Sequence, residues 1–388
     1  MRFKSFDVIP HGTTFDFVGK RHIAVALSLA ANLAVIVWAM PFVHGLNFGV
    51  DFAGGTEMEV KFGKQVDPGV IRRSVEELGF KDASVQTYGP EADNSYLIRV
   101  GRIALLGADE VATVAKAVSA KFPIQGAPSF NPELGDKIDF QFQGVQPTTA
   151  ELKSVIEAAG VRVREVREEA GLAAGTHSFA VITYGIQDKV ERDLQSRFAA
   201  EKPEVRRVEY VGPAVGRELR NQGFKAILLA MGLIVLYVGV RFDFRFSPGV
   251  IIALLHDAVI TFGFFAFTGR EFNLTSVAVI LTVVGYSVND TVVVYDRIRE
   301  NQGKFQGKRL AEIVNLSIND VLGRTFLTSF ATALSLIGLL IFGVGTIWDF
   351  SMAMLVGIVS GTYSTWFIAS PMTIWLEERA AKAKARAA

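Results

Sequence analysis

The chain has 388 residues, with 40 Lys and Arg against 39 Asp and Glu, a formal net charge of +1 and no Cys. No basic excess is available to hold a phosphate backbone, which argues against a nucleic-acid partner, and disulfides, thiolate metal sites and Cys nucleophiles are excluded. Apolar residues make up 50% and charged residues 20%, with a mean hydropathy of +0.32, too apolar for a disordered chain and unusual for a soluble enzyme. Charge is also uneven. Long stretches carry almost none, while Asn47 to Arg220 carries an ordinary soluble load, as in a membrane protein with one large water-exposed domain.

In chain order, a cytoplasmic segment is expected over 1–21. The first apolar run, His22 to Val43, is long enough to cross a hydrocarbon core of about 30 Å. Arg2, Lys4, Lys20 and Arg21 precede it, as in a signal peptide. The run exceeds a usual signal core and no small-x-small site follows Pro41, which favours a retained span over a removed one.

An α+β domain is expected over 44–222. Thr56–Phe62, Ala83–Tyr88 and Tyr96–Val100 alternate as strands, and Asp67–Leu78 and Ala108–Phe122 have helical spacing. Asp67 is placed to cap its helix, with Pro68 at the first helical position. About 80 residues later the order recurs: strand Lys137–Phe142, helix Gln146–Ala159 with Pro147 near its start, strands Val161–Arg167 and Ser178–Tyr184, helix Gln187–Phe198, strand Val205–Val211. Gly79 and Gly160 end equivalent helices, where a left-handed residue favours Gly. Two ferredoxin-like units, over about 47–130 and 136–212, account for this. One irregular α+β domain sharing only helix-then-Gly grammar is the other reading. Neither unit carries a phosphate loop, a metal cluster or a Ser-His-Asp set, so no catalytic residues, metal or cofactor are expected.

Five more spans fill 223–376: Phe224–Val240, Pro248–Phe267, Leu274–Tyr295, Thr325–Thr346 and Phe350–Leu376. A basic tail follows over 377–388. Lys and Arg concentrate before span one, between spans two and three (Arg241, Arg245), between spans four and five (Arg297, Arg299, Lys304, Lys308, Arg309, Arg324) and in the tail (Arg379, Lys382, Lys384, Arg386). The other loops carry only Arg270. By the positive-inside rule both termini are cytoplasmic and the large domain is periplasmic.

Ionisable groups at membrane depth cost about 2.5 kcal/mol or more and mark functional positions by default. Asp257, beside His256, lies about 13 Å into span three. Asp290 lies in the cytoplasmic half of span four, with Ser287, Asn289 and Thr291 nearby, and Gly285 leaves room for close approach or water. Burial and a nearby Arg pull a carboxylate's proton affinity in opposite directions. Asp290 is therefore a candidate proton carrier, with helix–helix hydrogen bonding as the plainer reading. Arg324 is either its charge partner or a snorkelling residue. His256 and Asp257 either extend a proton path or pair within the bundle. An intramembrane aspartyl protease would need a Gly-x-Gly-Asp partner motif, which is absent.

Several of these stretches resemble one family. Leu46-Asn-Phe-Gly-Val-Asp-Phe-Ala-Gly-Gly-Thr56, with Asp51, Gly54, Gly55 and Thr56, resembles the Gly-x-Asp-Phe-x-Gly-Gly-Thr motif of the SecD/SecF proteins. Gly285-Tyr286 through Asn301, Ala253 to Asp257, Val208 to Gly216, Arg324 to Ser329 and Asp16 to Arg21 are similar to further signatures of the SecF branch. The resemblance implies a six-span half of the resistance-nodulation-division superfamily, in the bacterial inner membrane. It implies pairing with SecD beside the SecYEG channel, with YajC as a further partner. It also implies contact with the unfolded polypeptide and with membrane lipids, and work driven by the proton-motive force after SecA-driven passage. Asp290 and Arg324 match the family's proton-pathway residues in spans four and five, and Asn289 and Asp257 are the further candidates for that path. A scaffold subunit without energy coupling and a small-molecule or lipid exporter are the competing readings. The external domain departs from the family in size, being about twice the usual single unit, with an insertion expected within Ala104–Ala174.

Overall fold

The computed structural model describes residues 13–40, 42–88, 91–101, 104–131, 136–144, 147–169, 176–242 and 247–387. Arg2, Lys4, Arg245 and Gln146, and Ala174 at the end of the expected insertion, lie outside the described residues. The chain forms two compact units, Gly49–Leu219 and the remainder on either side of it.

Helix α1, Arg21–Trp38, opens the helical unit. The α+β unit begins with the single turn α2, Val50–Ala53, and runs β1 (Gly55–Lys61), α3 (Pro68–Glu77), β2 (Ser84–Thr87), β3 (Ser95–Val100), α4 (Ala108–Ser119), β4 (Ser129–Phe130), β5 (Lys137–Gln143), α5 (Thr149–Ala158), β6 (Val163–Glu169), β7 (Thr176–Thr183), α6 (Ile186–Arg197) and β8 (Glu204–Val211). The caps are local chemistry. The Asp67 carboxylate accepts the Gly69 N–H at 2.7 Å. Helix α5 starts after Thr148, later than Pro147 suggests, because Thr148 and Glu151 cap each other's backbone reciprocally.

Among the described residues the unit holds two antiparallel sheets, in the strand orders β2-β3-β1-β8 and β4-β5-β7-β6. Each half of the sequence reads strand-helix-strand-strand-helix-strand, but the halves exchange their closing elements. Strand β8 pairs with β1, and the stripe Ile186, Val190 and Leu194 of α6 completes the core under the first sheet with Met58, Ile71 and Ile98. Strand β4 pairs with β5, and Val111, Val114 and Val118 of α4 pack with Ile138, Phe140 and Phe179 under the second. Thus α4 and β4, which fall within the 47–130 stretch, belong structurally to the second sheet. The apolar stripe of α4 specifies a buried face but not which sheet buries it. Strand β4 has two residues, too few to show a period.

Helix α7 (Pro213–Arg241) starts in the α+β unit and runs on into the helical unit, which continues with α8 (Ser247–Thr268), α9 (Leu274–Lys304), α10 (Leu310–Phe342), α11 (Thr346–Ser364) and α12 (Ser370–Ala387). Among the described residues, six helical stretches are long and apolar enough to cross a membrane. Several extend well past the apolar runs that announce them. Helix α7 begins eleven residues before Phe224 and α10 fifteen before Thr325, because polar residues such as Glu312, Asn315 and Asp320 sustain a helix although they cannot sit in lipid. Helices α11 and α12 join through a π-helical turn, Thr365–Ala369. Pro371 has no N–H for the Phe367 carbonyl and its ring crowds it, so the preceding turn widens, and the Ser370 N–H reaches back to Thr365.

Candidate functional site

Helices α9 and α11 run parallel and touch along one seam. Val283 meets Gly357 and Ser287 meets Gly361, and Thr291 Oγ1 lies 2.9 Å from Thr365 Oγ1. Tyr295 donates to the Ala369 carbonyl at 3.1 Å. Every pair is offset by 74 residues, so each step is about one turn on both helices. The glycines set the approach. A Cβ on Gly361 would lie 2.9 Å from Ser287 Cβ, and one on Gly357 2.1 Å from Val283 Cγ2. Gly357 and Gly361 form a small-xxx-small pair that lets two backbones close up.

Asp257 of α8 faces this seam and is 0% exposed. Its Oδ2 accepts hydrogen bonds from Ser287 at 2.6 Å and Ser364 at 2.7 Å, and its Oδ1 from Ser360 at 2.7 Å. His256 Nδ1 lies 3.0 Å from the same Oδ1. Three hydroxyls from two other helices thus surround one buried carboxylate with donors. A buried charge needs such donors to replace water. The His256 ring stacks on Tyr363, whose hydroxyl donates to the Ala24 carbonyl of α1 at 2.7 Å. The polar cluster therefore ties α1, α8, α9 and α11 together.

Asp290 sits three residues beyond Ser287 on the same buried stripe of α9, which also carries Val283, Val294, Ile298 and Asn301. It is 3% exposed, and among the described residues its Oδ2 has no hydrogen-bond partner. The charge acting on it is the Arg324 guanidinium of α10, across space. No ion pair joins them among the described residues, and Arg324 is exposed on the chain's own surface. Asp257 is saturated with donors; Asp290 is buried and left open.

The remaining predicted residues divide. Asn289 and Gly285 lie on the exposed side of α9. Nothing within 4 Å would meet a Cβ on Gly285, so close approach in this helix pair is provided by Gly357 and Gly361 on α11 instead. Tyr286 is half-buried and accepts from Thr332 Oγ1 at 3.3 Å. Sequence reasoning did not single out Ser360, Ser364, Thr365, Gly357 or Gly361. Their signal was the interleaved small-xxx-small spacing within span six. Among the described residues no group of three His, Asp or Glu side chains could hold a metal.

The Gly-Gly motif lies in the α+β unit and is built on backbone geometry. Gly54 (φ +76) ends α2, and a Cβ there would lie 2.8 Å from Pro213 Cα. Gly55 (φ +122) passes so close to β3 that a Cβ would lie 2.4 Å from the Val100 carbonyl oxygen. Thr56 follows fully buried in β1, and Asp51 sits in the first turn of α2. The same unit holds a cleft of about 580 Å³ lined by Asp136, Arg164, Asp188, Tyr210 and Val215, among others. Burial pushes the Asp136 carboxyl above the ordinary carboxylate range, opposed by the Leu106 and Leu105 N–H groups that donate to it.

Six membrane-length helices, an α+β unit between the first and the second, and carboxylates buried where the helices meet define a multi-pass membrane protein of the transport type. Residues 190–379 match the model for the C-terminal part of the SecD/SecF protein-export membrane proteins, and residues 40–66 match the SecD/SecF GG motif. The protein translocase subunit SecF of Pseudomonas aeruginosa is 35% identical over 363 residues, covering 94% of this chain and 92% of that protein. The SecF of Rickettsia felis is 32% identical over 379 residues, covering 98% and 97%. Two solved structures are similar. SecDF of Thermus thermophilus, described as translocon-associated, has a TM-score of 0.66 at 29% identity. A super-membrane-facing form of SecDF has a TM-score of 0.59, also at 29%. This chain covers 39% and 42% of those two chains. The chain belongs to the SecD/SecF family, in its SecF branch, and is a multi-pass inner-membrane component of the Sec translocase.

Proposed function

We propose that the chain pairs with SecD and uses the proton-motive force to complete translocation of secretory polypeptides, after SecA has driven them through SecYEG. In this reading both termini are cytoplasmic and the α+β unit is periplasmic, where it meets the unfolded chain; YajC and surrounding lipids complete the assembly. Asp290 takes up and releases the proton, Arg324 is its opposing charge, and Asp257 and Asn289 flank the path.

The observation that carries the reading is Asp290 itself: buried, with an unpartnered Oδ2, and under the field of one Arg on a neighbouring helix. Protonation removes one charge from the seam between α9 and α10 and weakens its attraction to Arg324. That differential interaction is what biases two packings of a bundle. A potential of 100 mV supplies about 2.3 kcal/mol per charge moved, enough to shift a two-state equilibrium roughly fiftyfold.

The test is Asp290→Asn in an export-dependent cell, following precursor accumulation with subunit abundance checked. Accumulated precursor with the chain still assembled is the expected result. Normal export would refute the proton role of Asp290 and leave a scaffold.

A further inference from the structure

The motif Asp16 to Arg21 plays no part in the polar seam, yet the residues just ahead of α1 are held firmly. Phe15–Val18 run as a non-helical strap along the first turns of α10, gripped by two Asn side chains one turn apart. Asn315 Oδ1 accepts from the Phe17 N–H at 2.9 Å and the Val18 N–H at 3.2 Å. Asn319 Oδ1 accepts from the Phe15 N–H at 2.8 Å. Both side-chain amides donate to the Phe15 carbonyl, at 3.0 and 2.9 Å. A carboxamide has both donors and an acceptor, so it pairs with a backbone as a neighbouring strand would. The strap is turned by the Gly19 N–H donating to Asp16 Oδ1 at 2.7 Å. A Cβ at Gly19 would lie 2.1 Å from Asp16 Oδ2, so a larger residue would push that carboxylate aside.

Phe17 and Val18 are buried. The Phe17 ring packs on Trp366 at 5.4 Å and Phe367 at 5.7 Å between centroids, both in the π turn. That turn also carries Thr365, which holds Thr291 beside Asp290. Arg324 lies five residues beyond Asn319 on α10. One strap therefore ties the start of α1, the helix carrying Arg324 and the turn packed beside Asp290.

The geometry points to the strap as a positioning tie: Asn315, Asn319 and Phe17 hold α10 and the π turn in register with α9, and so set where Arg324 stands relative to Asp290. This rests on the proton reading of Asp290. The charge bearing on that carboxylate is Arg324 from α10; from α8, Asp257 accepts from the neighbouring Ser287 and is itself contacted by His256. Helix α11 and its π turn bring Ser364 and Thr365.

The full chain with its SecD partner, in permeabilised membranes, provides the test, and the absence of Cys makes a single reporter clean. Val18→Cys reports whether the strap is seated, through the reaction of its thiol with a maleimide. Carbodiimide labelling of Asp290 against pH, with Asp290→Asn as blank, reports the site. Asn315→Ala with Asn319→Ala is expected to raise maleimide labelling at least tenfold. The same pair should displace the labelling midpoint of Asp290 by about one pH unit, a tenfold change in proton affinity. Asn315→Asp, which keeps an acceptor for the Phe17 and Val18 N–H groups but turns an oxygen toward the Phe15 carbonyl in place of the donor, should fall between the parent and the double variant in both readouts. A reporter thiol that stays unlabelled in the double variant, or an unmoved midpoint with that thiol labelled, overturns the tie. Failure of the proton reading shows separately, as normal export by Asp290→Asn.

Discussion

Ser364→Ala isolates one donor of the Asp257 cluster. The substitution removes a 2.7 Å hydrogen bond to Oδ2 and a longer one, 3.1 Å, to the Gly361 carbonyl of its own helix, the latter offset in part because Ala is the better helix former by about 0.5 kcal/mol. Hydrogen bonds between membrane helices average about 0.6 kcal/mol and reach about 1.7, while those to charged groups stand at about 1.5–3 kcal/mol in soluble proteins. A hydroxyl on a fully buried carboxylate belongs near the top of the membrane range, so the expected loss is about 1–1.5 kcal/mol. Ser287→Ala should match it, as its bond to the same oxygen is 2.6 Å. The assay is equilibrium unfolding of the full chain in mixed micelles, run as a double-mutant cycle with Asp257→Asn. The carboxamide has one acceptor oxygen for three hydroxyls, so removing Ser364 in that background should cost little. The coupling should be about 1 kcal/mol. A loss under about 0.3 kcal/mol for both serines, without coupling, would refute the view that these donors sustain the carboxylate.

Gly361→Ala should loosen the contact of α9 with α11 and cost about 1–3 kcal/mol, whereas Gly285→Ala in the isolated chain should stay within about 0.5 kcal/mol; the same unfolding assay separates them. Gly54→Ala combines a positive φ with a contact at Pro213 and should cost more than Gly79→Ala, which meets only strain of about 1 kcal/mol. Thermal unfolding of the purified chain gives that order. For Asp136 the sign follows from burial raising its proton affinity in the fold. The folded state binds the proton more tightly than the unfolded one, so this group favours the fold on acidification and penalises it as pH rises through the folded value. Asp136→Asn should flatten that dependence. Hydrogen exchange at Leu105 and Leu106, whose N–H groups donate to Asp136, is the measurement.

Asp257 and Asp290 were visible in the sequence because a charge inside an apolar run is rare. Their different situations were not. Which one is caged depends on Ser287, Ser360 and Ser364, and serine is unremarkable in any span until packing aligns three of them on one carboxylate. Gly285 drew notice by standing beside a polar cluster, yet it lies on the exposed side of α9; the glycines at the contact are on α11. The strap was legible only as a motif, since its partners Asn315 and Asn319 lie about 300 residues away.

The sequence alone determined the six spans, the helix cap at Asp67, the left-handed ends at Gly79 and Gly160, and the doubled strand and helix order. Each rests on a local rule: the length needed to cross hydrocarbon, a backbone donor needing a nearby oxygen, or a φ that only glycine takes without strain. Tertiary structure alone decided that α6 and β8 close the first sheet while α4 and β4 close the second, and that Asp257 is saturated where Asp290 is not. An apolar stripe or a strand edge encodes that a face must be covered. It does not encode by what, because apolar burial is non-directional and one strand's backbone hydrogen bonds as well as another's.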